Sequence, residues 1–329
     1  MHRQRRDDRR TWQRIASSRS ARRSANLRRS TDRQSDAQSQ KRVSRSSSRE
    51  ASQVSVGLPP KKALGQHFLH DPKVLARIAA LAAPVDGSGL VEIGPGTGNL
   101  TAHLVERYDS RHMLVIERDR RMPEVLRERF GDQMPALVEA DAVRVDYRAL
   151  FQEYELGPQP VVVGNLPYNA GVPIVFAALA GAPRRCVVML QKEVAQRIVA
   201  RPGSSSYGQL SVKLQMLADT RMAFKVGRGA FRPPPKVMSA VVVLQPLAEL
   251  RYSVPDQARL WRLLEGGFGQ RRKTLARALG NTLKFDRQRV QQTLEAIGHD
   301  HRARAEVLDL QSWANLANAL QPHWPQERA

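Results

Sequence analysis

Cysteine is almost absent from this 329-residue chain, and the single Cys186 excludes any internal disulfide. Its place in an apolar run marks it as inert core. No apolar run approaches the roughly 20 residues of a membrane-spanning helix, so a soluble chain without a membrane partner is expected. The N-terminal region contains no apolar h-region, which excludes a secretory signal there. Acidic residues are also scarce, with 31 Asp+Glu against 53 Lys+Arg and a formal net charge of +22.

That excess is split between two parts of the chain. Residues 1–57 hold 16 Lys+Arg and 5 Asp+Glu, a surplus of +11, and the remainder contributes another +11. The body is therefore basic without its leading segment, which points to a polyanionic partner. The leading segment is rich in Arg, Ser and Gln and has too few apolar residues to offset chain entropy by burial. A disordered basic extension over 1–57 is expected. An RNA-binding arm and an organelle transit peptide both suit the composition, although Asp7, Asp8, Asp32, Asp36 and Glu50 dilute the second signal. A true start downstream of Met1 is a third reading. No site residue is assigned there.

The rest of the sequence alternates between two periodicities. Short apolar runs occur at Leu90–Ile93, Met113–Glu117, Ala136–Glu139, Val161–Gly164, Cys186–Leu190 and Ala240–Gln245, with helical stretches such as Leu100–Tyr108 and Glu124–Phe130 between them. Alternating strands and helices predict right-handed crossovers and a mainly parallel sheet covered on both faces. Pro233-Pro234-Pro235 reads as a stiff extended approach to the last strand. From about Pro255 onward only helices are predicted, including Gln257–Glu265 and Ser312–Leu320. The expected organisation is an α/β catalytic domain over 58–250 and a small helical domain over 251–329.

Glycines punctuate the first strand-to-helix junction in Gly94-Pro95-Gly96-Thr97-Gly98, after Val91-Glu92-Ile93. They allow positive φ and close approach of a ligand to the backbone. The G-x-G-x-G spacing is one residue shorter than the dinucleotide pattern. Glu117 ends the second strand, where an acid can accept from both ribose hydroxyls, and Asp141 follows the third, where it could receive an adenine amine. Together they predict an adenosyl ligand at the carboxyl edge of an open sheet. NAD and S-adenosylmethionine both satisfy the ribose contact. A dinucleotide needs a helix N-terminus free for pyrophosphate, whereas S-adenosylmethionine needs acceptors and no phosphate site.

Gly164-Asn165-Leu166-Pro167-Tyr168, directly after Val161-Val162-Val163, decides between them. An amide oxygen, a backbone carbonyl and an aromatic ring suit a flat base with an exocyclic amine, and nothing in GNLPY suggests hydride transfer, hydrolysis or a metal ligand set. Alone, GNLPY reads equally well as a strand ending in a turn with a packed Tyr. With the adenosyl loop it predicts amine methylation from S-adenosylmethionine.

The loop and GNLPY together resemble the adenine-N6 methyltransferases. Further segments narrow the resemblance to the ribosomal RNA adenine dimethyltransferases: Lys62–Leu69 (KALGQHFL), Gln191–Arg197 (QKEVAQR), Ser206–Val212 (SYGQLSV), Phe231–Val237 (FRPPPKV) and Phe268–Leu275 (FGQRRKTL). It covers about residues 60–320 and implies a Rossmann-like class I methyltransferase sheet with a helical RNA-binding domain. It also implies a cytoplasmic, monomeric enzyme that dimethylates two adjacent loop adenosines of small-subunit rRNA within a pre-ribosomal particle. His67 and Leu69 would contact S-adenosylmethionine, with Gly94 in the loop, Glu117 at the ribose, Asp141 at the adenine and Asn165 beside the methionine end. His67 by itself would be an ordinary surface or capping histidine; its role comes from GQHFL.

For the acceptor, the residue types predict that Asn165 Oδ1 and the Leu166 carbonyl accept the amine N–H groups and that Tyr168 stacks on the base. Phe231 is read either as a second wall or as a core aromatic. Lys192, Arg197, Arg271, Arg272 and Lys273 are the candidate phosphate contacts. The sequence departs from its relatives at Ala170-Gly171-Val172-Pro173, where Ile-Ser-Thr-Pro is commoner, and at Met238, which stands where an acid is common. A large-subunit rRNA methyltransferase and a noncatalytic assembly factor are the competing readings.

Overall fold

A computed structural model describes residues 67–85 and 87–325, all within one compact unit. The expected 1–57 extension and Lys62–Gln66 of the KALGQHFL segment lie outside the described residues.

Seven strands form one sheet. In chain order the first elements are β1 (Phe68–Leu69), α1 (Pro72–Leu81), β2 (Leu90–Ile93), α2 (Asn99–Val105), β3 (Met113–Glu117), α3 (Met122–Phe130) and β4 (Ala136–Glu139). They continue with α4 (Tyr147–Glu153), β5 (Val161–Asn165), α5 (Gly171–Ala180), β6 (Arg185–Gln191), α6 (Lys192–Ile198), α7 (Gln209–Leu217), β7 (Ala218–Val226), β8 (Phe231–Arg232) and β9 (Ser239–Pro246). The sheet order is β4-β3-β2-β5-β6-β9-β7; β4 to β6 are parallel, and β9 runs antiparallel to both of its neighbours. The order reverses between β2 and β5, where the crossovers leave for opposite faces and open a crevice beyond the carboxyl ends.

The central strands read as unbroken apolar runs because both faces are covered. Val161 and Val163 of β5 pack with Leu90, Met189 and Val241 beneath α1 and α2. Val162 points to the opposite face, where Val91, Ile116 and Val188 meet Tyr147, Phe151 and Ile174 of α4 and α5. Cys186 lies in that layer, and burial pushes its thiol up to about 12, the behaviour of an inert core residue. Asp71 starts α1 by accepting from the Lys73 and Val74 amides, with Pro72 in the first turn, where its missing N–H is harmless.

After the sheet come α8 (Gln257–Phe268), α9 (Leu275–Leu283), α10 (Arg287–Ala296) and α11 (Leu310–Leu320). Their core centres on fully buried Trp313 and includes Ala200, Tyr207, Val212 and Met216 from the region around α7. The Tyr207 hydroxyl donates to Leu308 O at 2.9 Å, and Lys213 pairs with Glu265 at 2.7 Å. The helical layer is thus built partly from residues that precede β9 in the chain.

Three strands carry no signal in the sequence. β7 lies at the sheet edge and exposes Asp219, Arg221 and Lys225, so it lacks an apolar run. β1 and β8 are two residues each and exist only as a pair, with Phe68 opposite Arg232 and Leu69 opposite Phe231. That ribbon holds the chain at 67–69 across the crevice.

Candidate active site

Gly94, Gly96 and Gly98 all adopt positive φ (65°, 56° and 82°) between β2 and α2. At Gly98 a Cβ would lie 2.6 Å from the Phe130 ring, so a larger residue is excluded by packing as well as by backbone conformation. The Arg129 guanidinium holds the turn from outside by donating to Thr97 O and, at 3.0 Å, to Asn99 Oδ1. Asn99 Nδ2 in turn donates to Leu69 O at 2.8 Å, joining the loop to β1.

The Glu117 carboxylate sits at the end of β3 and accepts three backbone amides: Gly96 N at 3.1 Å and the Arg118 and Asp119 amides at 2.8 Å each. Burial raises its pKa, and the three amides oppose that rise. Beyond β4, Asp141 Oδ1 accepts the Val143 amide at 3.1 Å, while Oδ2 lies 3.3 Å from Arg118. At the end of β5, Asn165 Nδ2 donates to the backbone carbonyl of His67 at 3.0 Å. A carbonyl can only accept, so this contact sets the amide orientation and leaves Oδ1 as an acceptor. His67 Nδ1–H donates to Pro233 O at 2.9 Å, and the His67 and Tyr168 rings lie with centroids 5.4 Å apart. Tyr168 and Ser239 share a 2.8 Å hydroxyl contact.

His67, Leu69, Gly94, Glu117, Asp141 and Asn165, all expected at a cofactor, line a single cavity in the crevice. Leu166 and Tyr168 line it as well. Phe231 does not. Its ring is only 2% exposed and packs among Leu75, Val226 and Val241, because the pairing of β8 with β1 turns it inward. The reading of Phe231 as a second wall is corrected to a core aromatic.

Lys192, Arg197, Arg271, Arg272 and Lys273 stand outside the cavity. Lys192 and Arg197 belong to α6, and the other three form the turn between α8 and α9. Arg272 and Lys273 are exposed, whereas Arg271 also donates to Ser205 O at 3.0 Å and Tyr207 O at 3.3 Å. The RRK turn is therefore part structural tie and part open basic surface.

Among the cavity residues missed in the sequence, Glu92 is a buried acid. Glu92 is 1% exposed in β2 and accepts the Thr101 hydroxyl at 2.7 Å. Burial lifts its carboxyl to about 8, with Glu117 adding to the rise and Thr101 and Arg129 opposing it. The available signal was an acid in an otherwise apolar strand, LVEI. Among the described residues no group of His, Cys, Asp and Glu is arranged to hold a metal ion, and no helix is long and apolar enough to cross a membrane.

The sequence model of the ribosomal RNA adenine dimethylase family matches residues 58–322. The chain belongs to that family. It is 45% identical over 273 residues to the ribosomal RNA small subunit methyltransferase A of Anaeromyxobacter sp. (strain K), covering 80% of this chain and 94% of the relative. The protein of that name from Geobacter sulfurreducens is 39% identical over 268 residues, covering 80% and 96%. Among solved structures, a dimethyladenosine transferase from Plasmodium falciparum superimposes with a TM-score of 0.64 at 26% identity, covering 78% of this chain and 98% of that one. The 23S rRNA methyltransferase ErmE gives 0.59 at 28% identity, covering 77% and 99%.

As a ribosomal RNA adenine dimethylase, the protein is an enzyme with a class I methyltransferase sheet that uses S-adenosylmethionine as methyl donor. The cavity fits that cofactor. Glu117 occupies the Gly96 amide that a phosphate would otherwise contact, and the Glu117 and Asp141 carboxyls both line the cavity. Such a lining disfavours a pyrophosphate and favours a sulfonium cation.

Proposed function

We propose that this enzyme dimethylates the N6 amines of two adjacent adenosines in a hairpin loop near the 3′ end of small-subunit rRNA. Its substrate is a pre-ribosomal particle in the cytoplasm, it acts as a monomer, and the modification serves small-subunit biogenesis. The observation that carries the catalytic part is the Asn165–His67 contact, which leaves the Asn165 oxygen free at the end of β5. The small-subunit assignment rests on relatives at 39–45% identity that bear that name.

His67, Leu69, Gly94 and Asn165 would hold the methionine half of the cofactor, Glu117 its ribose and Asp141 its adenine amine. When bound, S-adenosylmethionine supplies an electrophilic methyl group on sulfur. The N6 lone pair of adenine is delocalised into the ring. Acceptors at Asn165 Oδ1 and the Leu166 carbonyl favour a pyramidal nitrogen and aim its lone pair. An Asn side chain has no basic site, so the proton leaves to water after the N–C bond forms, when the nitrogen is cationic. Alignment then provides the catalysis, and oriented reactants can lower a barrier by roughly 7–11 kcal/mol. Tyr168 would stack on the base, an interaction worth about 1–3 kcal/mol. The base must first leave its stack, at least cost in a loop. Lys192, Arg197, Arg272 and Lys273 would contact phosphates, as would the part of Arg271 not engaged with 205–207, with the helical segment 251–329 as the RNA-binding portion.

A large-subunit substrate is the second reading, favoured by the superposition with ErmE. Incubation with unmethylated small- and large-subunit particles, followed by primer-extension mapping of dimethyladenosine, separates the two. Stops confined to large-subunit rRNA would overturn the proposal.

A further inference from the structure

Residues 233–239 form a strap fastened at three points beside the candidate site. Pro233 O accepts from His67 Nδ1–H at 2.9 Å, Met238 O accepts the Lys192 amide at 2.8 Å, and the buried Ser239 hydroxyl meets Tyr168 OH at 2.8 Å. The two ends of the strap thus grip His67 and Tyr168, whose rings adjoin. Between these tethers, Val237 and Met238 remain 39% and 38% exposed. They are the only adjacent pair among the four large apolar side chains exposed in the described residues; Val85 and Val307 stand apart. Arg232, at the end of β8 just before the strap, and Lys236 on it are exposed as well. An exposed apolar pair between tethered ends, next in the chain to Lys236 and one residue from the Tyr168 tether, has the character of a binding surface.

We propose that Val237 and Met238 form a contact platform for the nucleobase next to the target adenosine, with Arg232 and Lys236 facing the adjoining phosphates. The proposal rests on the RNA substrate proposed above. Extruding one base removes the stacking partner of its neighbour. An apolar surface restores that contact without regard to base identity, since every base has a π face. The Met238 thioether is polarizable and unbranched, which suits a flat aromatic partner. Charge favours this occupant: cationic side chains flank the apolar pair and an RNA strand carries one phosphate per nucleotide.

The test uses the full chain with two substrates, unmethylated small-subunit particles and a naked RNA hairpin, each with 2-aminopurine replacing the base adjacent to the target adenosine. For the Val237→Ser/Met238→Ser double variant, KM for the RNA is expected to rise about tenfold, as loss of one stacked base implies. Its kcat and S-adenosylmethionine Kd should be unchanged, and the 2-aminopurine emission change on binding should disappear. Met238→Leu should retain both affinity and emission change. Unchanged KM and emission in the double variant would overturn the platform. So would a defect seen with pre-ribosomal particles but not with the naked hairpin, which would assign the surface to a protein partner. If the wild-type protein methylates no rRNA, both the proposed function and the platform fall.

Discussion

Asn165 donates its side-chain N–H to the backbone carbonyl of His67, 98 residues earlier in the chain, at 3.0 Å. One hydrogen bond thereby joins the segment preceding the sheet to the end of β5 and orients the amide whose oxygen is left for an amine.

Asn165→Ala removes both the tether and the acceptor. Methyl transfer is expected to fall at least about 100-fold, the scale of losing one preorganised polar contact to a reacting centre. S-adenosylmethionine Kd should rise by less than about tenfold. A tritium-transfer assay with equilibrium dialysis checks both. Asn165→Asp should be comparably inactive, because a carboxylate cannot donate to the His67 carbonyl.

Glu92 links pH to stability with a sign opposite to that of a surface acid. Its folded-state value is raised from the model-compound 4.5 to about 8, facing Thr101 on α2, Glu117 on β3 and Arg129 on α3. The stabilisation from keeping it protonated is complete below about 4.5 and is lost as pH rises through about 8. Glu92→Gln should therefore be more stable than wild type at pH 9, by roughly a few kcal/mol, with the gap closing towards pH 5. Thermal melts of both proteins across that range measure it. Parallel curves would contradict the buried-acid reading.

The Tyr168–Ser239 contact separates orientation from stacking. Ser239→Ala leaves the half-buried phenol without this partner and should cost about 1 kcal/mol of stability. It should also raise KM for RNA several-fold. Tyr168→Phe keeps the ring and should resemble Ser239→Ala, whereas Tyr168→Ala should lose about 1–3 kcal/mol of RNA affinity. Equal effects from Phe and Ala would argue against stacking.

The RRK turn should divide by function. Arg272→Ala and Lys273→Ala should each reduce the salt slope of RNA binding by about one unit, with unchanged melting temperature. Arg271 also donates to the carbonyls of Ser205 and Tyr207, so Arg271→Ala should lower melting temperature as well. Affinity titrations against KCl, paired with melts, distinguish the two behaviours. A salt-independent affinity in wild type would remove the basic-surface argument.

What was legible in the sequence follows a physical pattern. Runs buried on both faces announced themselves: Leu90–Ile93 and Met113–Glu117 have the same limits in the structure, β5 is longer by one residue at one end, and β6 and β9 are longer by one residue at each end. Ala136–Glu139 also keeps its limits, although β4 lies at the sheet edge with both its end residues exposed. β7 was invisible because an edge strand with one open side needs no apolar run. Glu92 was overlooked because a buried acid has the sequence context of a packed strand. Phe231 could be read two ways until its register opposite Leu69 was known.

By itself the sequence determined the strand-and-helix alternation, the glycine turn, the acids at successive strand ends and the GNLPY segment, all of which depend on residues near one another in the chain. Only the tertiary structure decided what those residues face. It turned Asn165 Nδ2 to His67 and the Tyr168 hydroxyl to Ser239, placed Glu92 inside the cavity and sent Phe231 into the core. Each of those outcomes depends on a partner brought in by sheet register or strand pairing from outside the local segment, and local spacing carries no information about it.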